Sequence, residues 1–273
     1  GRAVADGYHL LQELGAIELA SASDDDGEAS RTGASFVLTE TGHELAKLPV
    51  DPRIGRMILA AREHQCLSEM LIIASALSVQ DARDRPMQER EAAEAAHAKF
   101  ADDKSEFISF LKLWRWYGEQ VQHKASQRKL VNLLRQNFLS PIRLREWHDV
   151  HTQLSALVGE QGWRVNQAEA TYEQLHLALL SGLLGNIGFK SDEGGHYQGA
   201  REIRFHIHPG SRLVKKAGRW IMAAELVETT RLYARCVARI DPVWLEKVGA
   251  HLIRKNWSDP RWEKKAGPVS YTH

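Results

Sequence analysis

The 273-residue chain has only two cysteines, Cys66 and Cys236, which lie far apart within apolar stretches. This arrangement is neither a disulfide framework nor a zinc-ligand pattern, so we expect both thiols to be reduced core residues. No run reaches the roughly 18 uncharged apolar residues that a membrane helix needs, and the N-terminus lacks the features of a signal peptide. We therefore expect a cytoplasmic chain without a membrane partner.

The sequence also lacks the common catalytic and metal-binding motifs. It has no glycine-rich loop with a Lys-Ser/Thr pair to surround phosphates, no GxSxG, no HExxH and no paired CxxC. Two histidine pairs, His148 with His151 and His206 with His208, have no third ligand nearby in the sequence. We expect surface or core histidines there, and predict no catalytic residue, metal or cofactor in this chain.

Charge is distributed unevenly, although the net charge at pH 7 is only +1. Residues 201–273 contain 15 Lys and Arg against 7 Asp and Glu, whereas residues 1–200 contain 21 against 28. Such an asymmetry often marks a segment that faces a polyanion. A basic surface also promotes solubility, so both interpretations stay open at this point.

The first two thirds of the chain are predicted to be largely helical. Residues 1–50 combine a helix ending near Gly15, an acidic loop over 21–35, a short strand and a Thr39-capped turn. From Asp51 onward, helical periodicity continues with little interruption, and the aromatic stripe over 107–121 is typical of core packing. We predict part of a small winged-helix-like unit followed by a helical bundle.

The hydrophobic period then changes from 3.6 to 2, which marks the clearest domain boundary. One predicted strand alternates Ile203, Phe205 and Ile207 with Arg204, His206 and His208. A second alternates Leu232, Ala234, Cys236, Ala238 and Ile240 with Arg231, Tyr233, Arg235, Val237 and Arg239. Both patterns predict strands with a basic, solvent-facing side, and a capped helix follows.

A small β-barrel that carries cations and aromatic rings is a recurrent binding site for single-stranded nucleic acid. The candidate residues are Arg204, His206, His208, Lys215, Lys216, Arg219, Arg231, Tyr233 and Arg235. Charged strand faces also serve merely to prevent aggregation, so the pattern permits RNA binding without requiring it.

Four stretches of the sequence resemble one known family. The run LTETGHELAKLPVDPRIGRMIL, with the pattern LTxxGxxLAxLPxDPxxxxMIL intact, resembles the junction between the winged-helix and ratchet-like domains of DEAH-box RNA helicases. The run NFLSPIRLREWHDVHTQL resembles the later ratchet helices, and AELVETTRLYARCVARIDPVWLEKV is similar to the C-terminal OB-fold. The ending HLIRKNWSDPRWEKKAGPVSY is most similar to the bacterial HrpA type.

The resemblance implies an α+β fold with three domains. These are a partial winged helix (1–50), a helical ratchet-like or HA2 bundle (51–166) and an OB-like β-barrel with a terminal helix (167–273). It also implies a C-terminal fragment of a longer helicase, whose two RecA-like domains carry the GKT, DEAH and QRxGRxGR motifs. ATP hydrolysis with magnesium would belong to that parent protein, and the fragment alone would not be an enzyme.

In this family the ratchet-like and OB domains complete a channel for single-stranded RNA. The family's RNA contacts near the OB loop correspond here to residues 208–211, including Ser211, and Arg143 and Arg145 are further candidates on a ratchet helix. The resemblance implies binding of single-stranded RNA without sequence specificity, coupled to RecA-like domains of the same parent chain. The alternative is a protein-interaction module that docks the RecA core or a protein activator with little RNA contact.

Overall fold

The computed structural model of the protein describes residues 2–20 and 35–252. Its α-helices are α1 (Arg2–Glu13), α2 (Glu40–Leu45), α3 (Pro52–Glu63), α4 (Leu67–Leu77), α5 (Arg90–His97), α6 (Glu106–Gln122), α7 (Gln127–Gln136), α8 (Pro141–Glu160), α9 (Tyr172–Leu183) and α10 (Val243–Val248). Its strands are β1 (Ile17–Leu19), β2 (Phe36–Leu38), β3 (Ile187–Lys190), β4 (Tyr197–Gly199), β5 (Arg204–Ile207), β6 (Trp220–Glu228) and β7 (Leu232–Arg239). The predicted α+β class is confirmed.

Two predictions concern residues outside the described ranges. The acidic loop over 21–35 is described only at its last residue, and the irregular tail from residue 253 is not described. Within the described ranges, none of the helices is long and apolar enough to cross a membrane.

The N-terminal unit (residues 2–20 and 35–50) contains α1, the antiparallel pair β1 and β2, and α2. Helix α1 ends where Gly15 adopts a φ of +69°, a conformation that favours glycine. The Thr39 hydroxyl accepts a hydrogen bond from Gly42 N at 3.1 Å and donates to Gly15 O at 2.5 Å. The predicted helix end, strand and cap are therefore confirmed.

The helical unit (residues 51–183) is held by a buried apolar core. As predicted, Asp51 caps α3 by accepting from Arg53 N at 2.9 Å, with Pro52 in the first turn. Phe107 is completely buried on α6, which confirms the packing role of the aromatic stripe. Trp147 on α8 donates from Nε1 to Ile72 O and Ser75 Oγ of α4, both at 3.0 Å. These two hydrogen bonds fix α8 against α4.

The barrel (residues 187–240) closes in the strand order β3-β4-β5-β7-β6. Strands β5 and β7 pair in parallel, and the other neighbouring pairs are antiparallel. Phe205 fills the interior, and Gly188 is required beside it because an added Cβ would lie 2.4 Å from the Phe205 ring. The sequence pattern predicted β5 and β7 but not β6, which is apolar on both faces because Ile221 faces the barrel interior and Met222 packs with the helical core.

Strand β7 does not alternate as regularly as its sequence predicted. Cys236 has a φ of +54°, an uncommon value for a residue other than glycine. Before it Ala234 faces the barrel interior, and after it Val237 does so while Ala238 joins the helical core. The prediction that Val237 faces solvent is therefore wrong, because the left-handed residue reverses the alternation. Ile203 was predicted to lie on the apolar side of β5 with Phe205 and Ile207, but it precedes the strand and is 39% exposed.

A hydrogen-bonded junction fixes the barrel to the helical unit. Ser105 forms an antiparallel bridge with Ala238, and Arg239 N donates to Lys104 O at 2.9 Å. The Tyr172 hydroxyl donates to Arg239 O at 2.7 Å. Fully buried His176 bonds through Nδ1 to Tyr172 O at 2.7 Å and through Nε2 to Ser105 Oγ at 2.6 Å. Burial lowers the pKa of His176 from 6.5 to about 4.

We predict that His176 makes the protein less stable in acid. Between pH 6.5 and 4 the unfolded chain binds a proton at this imidazole that the folded chain does not bind. Neutral His176 contributes its full stabilisation of the folded state, roughly 3 kcal/mol, above about pH 6.5. This contribution is lost as the pH falls to about 4. Urea unfolding across this range should therefore give a steeper pH dependence for the native protein than for His176→Gln. Equal slopes would contradict the prediction.

Candidate nucleic-acid interface

The parallel pairing of β5 with β7 places most of the candidate residues on one outward face. His206 is the register partner of Tyr233, whereas the neighbouring Phe205 and Ala234 point into the barrel. Two residues further along each strand, Arg235 Nη2 lies 3.4 Å from His208 Nε2. We call this face the β5–β7 stripe, and it consists of Arg204, His206, His208, Arg231, Tyr233 and Arg235.

The stripe combines exposed arginines with imidazole and phenol rings. Arg204, Arg231 and Arg235 are exposed, and the His208 and Tyr233 ring centroids lie 5.7 Å apart. Burial and then nearby arginines, Arg231 for His206 and Arg235 for His208, lower the pKa of both histidines. This shift favours the neutral form of both imidazoles. The face offers positive charge for phosphates and rings for base stacking, the combination that suits single-stranded nucleic acid.

The predicted basic loop forms a second group near the start of β6. Lys216 Nζ lies 3.2 Å from Asp103 of the helical unit, and Arg219 Nη2 lies 2.9 Å from Asp192. Arg239, at the end of β7, donates to Lys216 O at 2.7 Å. Lys215 is exposed. Two of the three predicted loop cations therefore lie beside carboxylates, in ion pairs that are solvent-exposed and weak.

The turn that the family resemblance singled out is present, but its serine is bonded to the helical unit. Ser211 N donates to His208 O at 2.8 Å, and Gly210 N donates to His208 Nδ1 at 3.1 Å. The Ser211 hydroxyl donates to Glu106 Oε1 at 2.9 Å, while the other oxygen of Glu106 accepts from Val237 N at 2.8 Å. The sequence analysis did not identify Glu106 as a residue of this site. Its one local signal is an acidic side chain in the first turn of α6.

The two ratchet candidates occupy different environments on α8. Arg143 Nη1 lies 2.8 Å from Asp84 Oδ1 and donates to Asp81 O at 3.2 Å, so it ties α8 to the segment after α4. Arg145 is exposed on the same helix. Among the described residues, neither arginine forms a hydrogen bond or ion pair with a residue of the β5–β7 stripe.

The histidine pair of α8 belongs to an aromatic cluster. The ring centroids of His148 and His151 lie 5.7 and 4.5 Å from the Trp114 ring. Over residues 2–20 and 35–252, no group of three or more His, Cys, Asp or Glu side chains is arranged to hold a metal ion.

Comparisons with known proteins give two matching family models and several similar RNA helicases. Residues 51–112 match the family model "Helicase associated domain (HA2), ratchet-like", and residues 175–253 match "Oligonucleotide/oligosaccharide-binding (OB)-fold". The chain is 46% identical, over 99% of its length, to the protein named "ATP-dependent RNA helicase HrpA" of Escherichia coli (strain K12). The resemblance to HrpA-type RNA helicases is confirmed.

Two further relatives are similar to the chain over most of its length. The chain is 45% identical, over 98% of its length, to the "ATP-dependent RNA helicase HrpA homolog" of Haemophilus influenzae. It is 28% identical, over 87% of its length, to the "Pre-mRNA-splicing factor ATP-dependent RNA helicase prp22" of Schizosaccharomyces pombe. The chain spans only 20% of the length of each HrpA-type relative and 19% of the prp22 helicase.

We predict that Glu106→Ala destabilises the protein by about 2 kcal/mol, because it leaves the Val237 N–H without its acceptor in a partly buried position. Glu119→Ala, on the exposed face of the same helix, is the matched control and should change stability by less than about 0.5 kcal/mol. Chemical denaturation of both variants measures the difference. Equal effects would show that the two hydrogen bonds of Glu106 contribute nothing to stability.

Proposed function

We propose that the chain is an accessory region of a HrpA-type ATP-dependent RNA helicase and that it binds single-stranded RNA along the β5–β7 stripe. The parallel register of β5 and β7 carries this proposal, because it gathers three arginines and a tyrosine from two distant segments on one outward face. The relatives are named as RNA helicases, which favours RNA as the ligand.

The chemistry of the stripe suits binding without sequence specificity. Arginines at its edges can contact phosphates, and a ring such as that of Tyr233 can stack on any base. Sequence-specific readout of a duplex would instead require side chains that reach base edges in a groove. The stripe is a barrel surface, so we expect its affinity to depend mainly on charge and stacking.

We further propose that the domain division is 1–50, 51–166 and 167–273, so that α9 belongs to the OB-like domain although it packs within the helical unit. We also propose that RecA-like domains outside this chain supply ATP hydrolysis with magnesium. The junction through Ser105, Tyr172 and His176 supports coupling, because it makes the barrel continuous with the helical unit. A movement of the helical unit against RecA-like domains would therefore carry the stripe with it.

One observation favours a second function for the N-terminal unit. Several of its apolar side chains are 45 to 61% exposed, namely Val4, Tyr8, Leu19, Val37 and Leu38. Exposed apolar residues grouped on one small unit are typical of protein contact surfaces. We propose that this unit docks a protein domain, either the RecA-like core or a protein activator, while the barrel binds RNA.

Fluorescence anisotropy with labelled single-stranded RNA at several salt concentrations tests RNA binding. The double variant Arg231→Gln with Arg235→Gln should bind at least several-fold more weakly. The slope of log affinity against log salt should become less steep by about 1.4, the value for two lost phosphate contacts. Lys215→Glu with Lys216→Glu tests the basic loop, for which we expect a smaller effect since Lys216 already lies beside Asp103.

The matched control is Arg128→Gln with Lys129→Gln, on the exposed side of α7, which should leave RNA binding unchanged. If the stripe variant and this control behave alike, the stripe is not the binding surface. If the unmodified chain binds no RNA at low salt, the docking of a protein domain by the N-terminal unit remains as the proposed function.

A further inference from the structure

Helix α7 presents an exposed basic face that the proposed function does not use. Between Glu119 and Glu146 the sequence contains six Lys and Arg but no Asp or Glu. Leu130 and Leu134, four residues apart, pack into the helical core, and the exposed residues of α7 are all polar. We call this surface the α7 face, and it consists of Lys124, Gln127, Arg128, Lys129, Asn132 and Arg135.

The four cations of the α7 face are exposed, and none of them forms an ion pair with a carboxylate of the described residues. Lys124 Nζ lies 3.3 Å from Oε1 of the neutral Gln127 side chain. Other exposed cations of the helical unit lie beside carboxylates, as Arg115 does with Glu169 at 2.6 Å. The α7 face therefore keeps its positive charge available for a ligand.

The α7 face is separate from the β5–β7 stripe. Helix α6 begins beside the barrel, where Glu106 accepts hydrogen bonds from Ser211 Oγ at 2.9 Å and from Val237 N at 2.8 Å. Its 17 residues span about 25 Å, and the turn 123–126 then leads to α7. The start of α7 is therefore about 25 Å away from these barrel contacts.

The α7 face offers groups for phosphates and hydroxyls but none for base stacking. Residues 124–136 contain no aromatic side chain, whereas surfaces for single strands combine cations with rings that stack on bases. Arg128, Asn132 and Arg135 are spaced four and three residues apart, so they line one side of α7 over about 10 Å. Double-stranded RNA presents phosphates and 2′-hydroxyl groups, and arginine and amide side chains can donate hydrogen bonds to both.

We propose that the α7 face binds the backbone of double-stranded RNA. A protein partner suits this face less well, because the cores of protein interfaces are apolar and depleted in lysine. The inference rests on the proposed function, since the relatives named as RNA helicases favour RNA as the polyanion. It adds a second surface, so that a duplex contacts α7 while a single strand contacts the stripe.

Fluorescence anisotropy of the full chain with a labelled blunt-ended RNA duplex, and separately with a labelled single strand, tests the inference. Arg128→Gln with Lys129→Gln should weaken duplex binding about five- to tenfold, with a salt slope less steep by about 1.8 for two lost contacts. The same variant should leave single-strand binding unchanged. Arg231→Gln with Arg235→Gln should instead weaken single-strand binding more than duplex binding.

Two controls separate the α7 face from general effects of charge. Arg115→Gln with Lys247→Gln removes the same charge from exposed side chains that each pair with a carboxylate, and it should keep duplex binding. Arg128→Lys with Arg135→Lys retains the positive charge and should keep most of the duplex affinity. Glutamine forms helices about as well as arginine and lysine, and thermal unfolding of each variant verifies the fold.

Unchanged duplex binding by Arg128→Gln with Lys129→Gln would overturn the inference and leave the proposed function standing. An equal loss of single-strand binding would also overturn it. So would displacement of the duplex by poly-glutamate at an equal concentration of negative charge, because an acidic protein would then be an equally good ligand. If the stripe variant keeps its single-strand affinity while the α7 variant loses the duplex, the inference stands and the proposed function fails. A chain that binds neither RNA would overturn both.

Discussion

The main-chain pairing of residues 104–105 with residues 238–239 is the constraint on which the arrangement of the barrel depends. It adds a short stretch of the helical unit to the edge of β7, and the buried ring of His176 holds that stretch through Ser105. Buried polar groups are stable only when their hydrogen bonds are complete, so this junction tolerates one arrangement of the two units. The stripe and the turn at 208–212 keep their positions relative to the helical unit because of it.

Local chemistry in the sequence was sufficient to predict much of the fold. The caps at Thr39 and Asp51 and the turn at Gly15 depend on residues within a few positions of each other, and all three are present. Strand β5 was predictable since its two faces meet different surroundings. Strand β6 was not, because both of its faces are buried over residues 221–223 and its sequence has no strict alternation. The predicted side of Val237 was wrong because one left-handed residue, Cys236, changes which side the following residues face.

The candidate site shows the same division between local and long-range information. Strand periodicity grouped the arginines and the tyrosine of the stripe correctly on outward faces, but it did not reveal that β5 and β7 are neighbours. The ion pairs of Lys216 with Asp103 and of Arg219 with Asp192 join residues far apart in sequence. Glu106 comes from the helical unit, so no pattern within the barrel sequence could indicate it.

The parallel pairing of β5 with β7 has a consequence for how the barrel folds. The chain between these strands includes the turn, the basic loop and all of β6, so their contact is non-local and forms only after a long loop has closed. Neither strand alone carries the complete stripe. The proposed binding surface therefore exists only in the closed barrel, and a partly folded chain would present these arginines without the geometry that groups them.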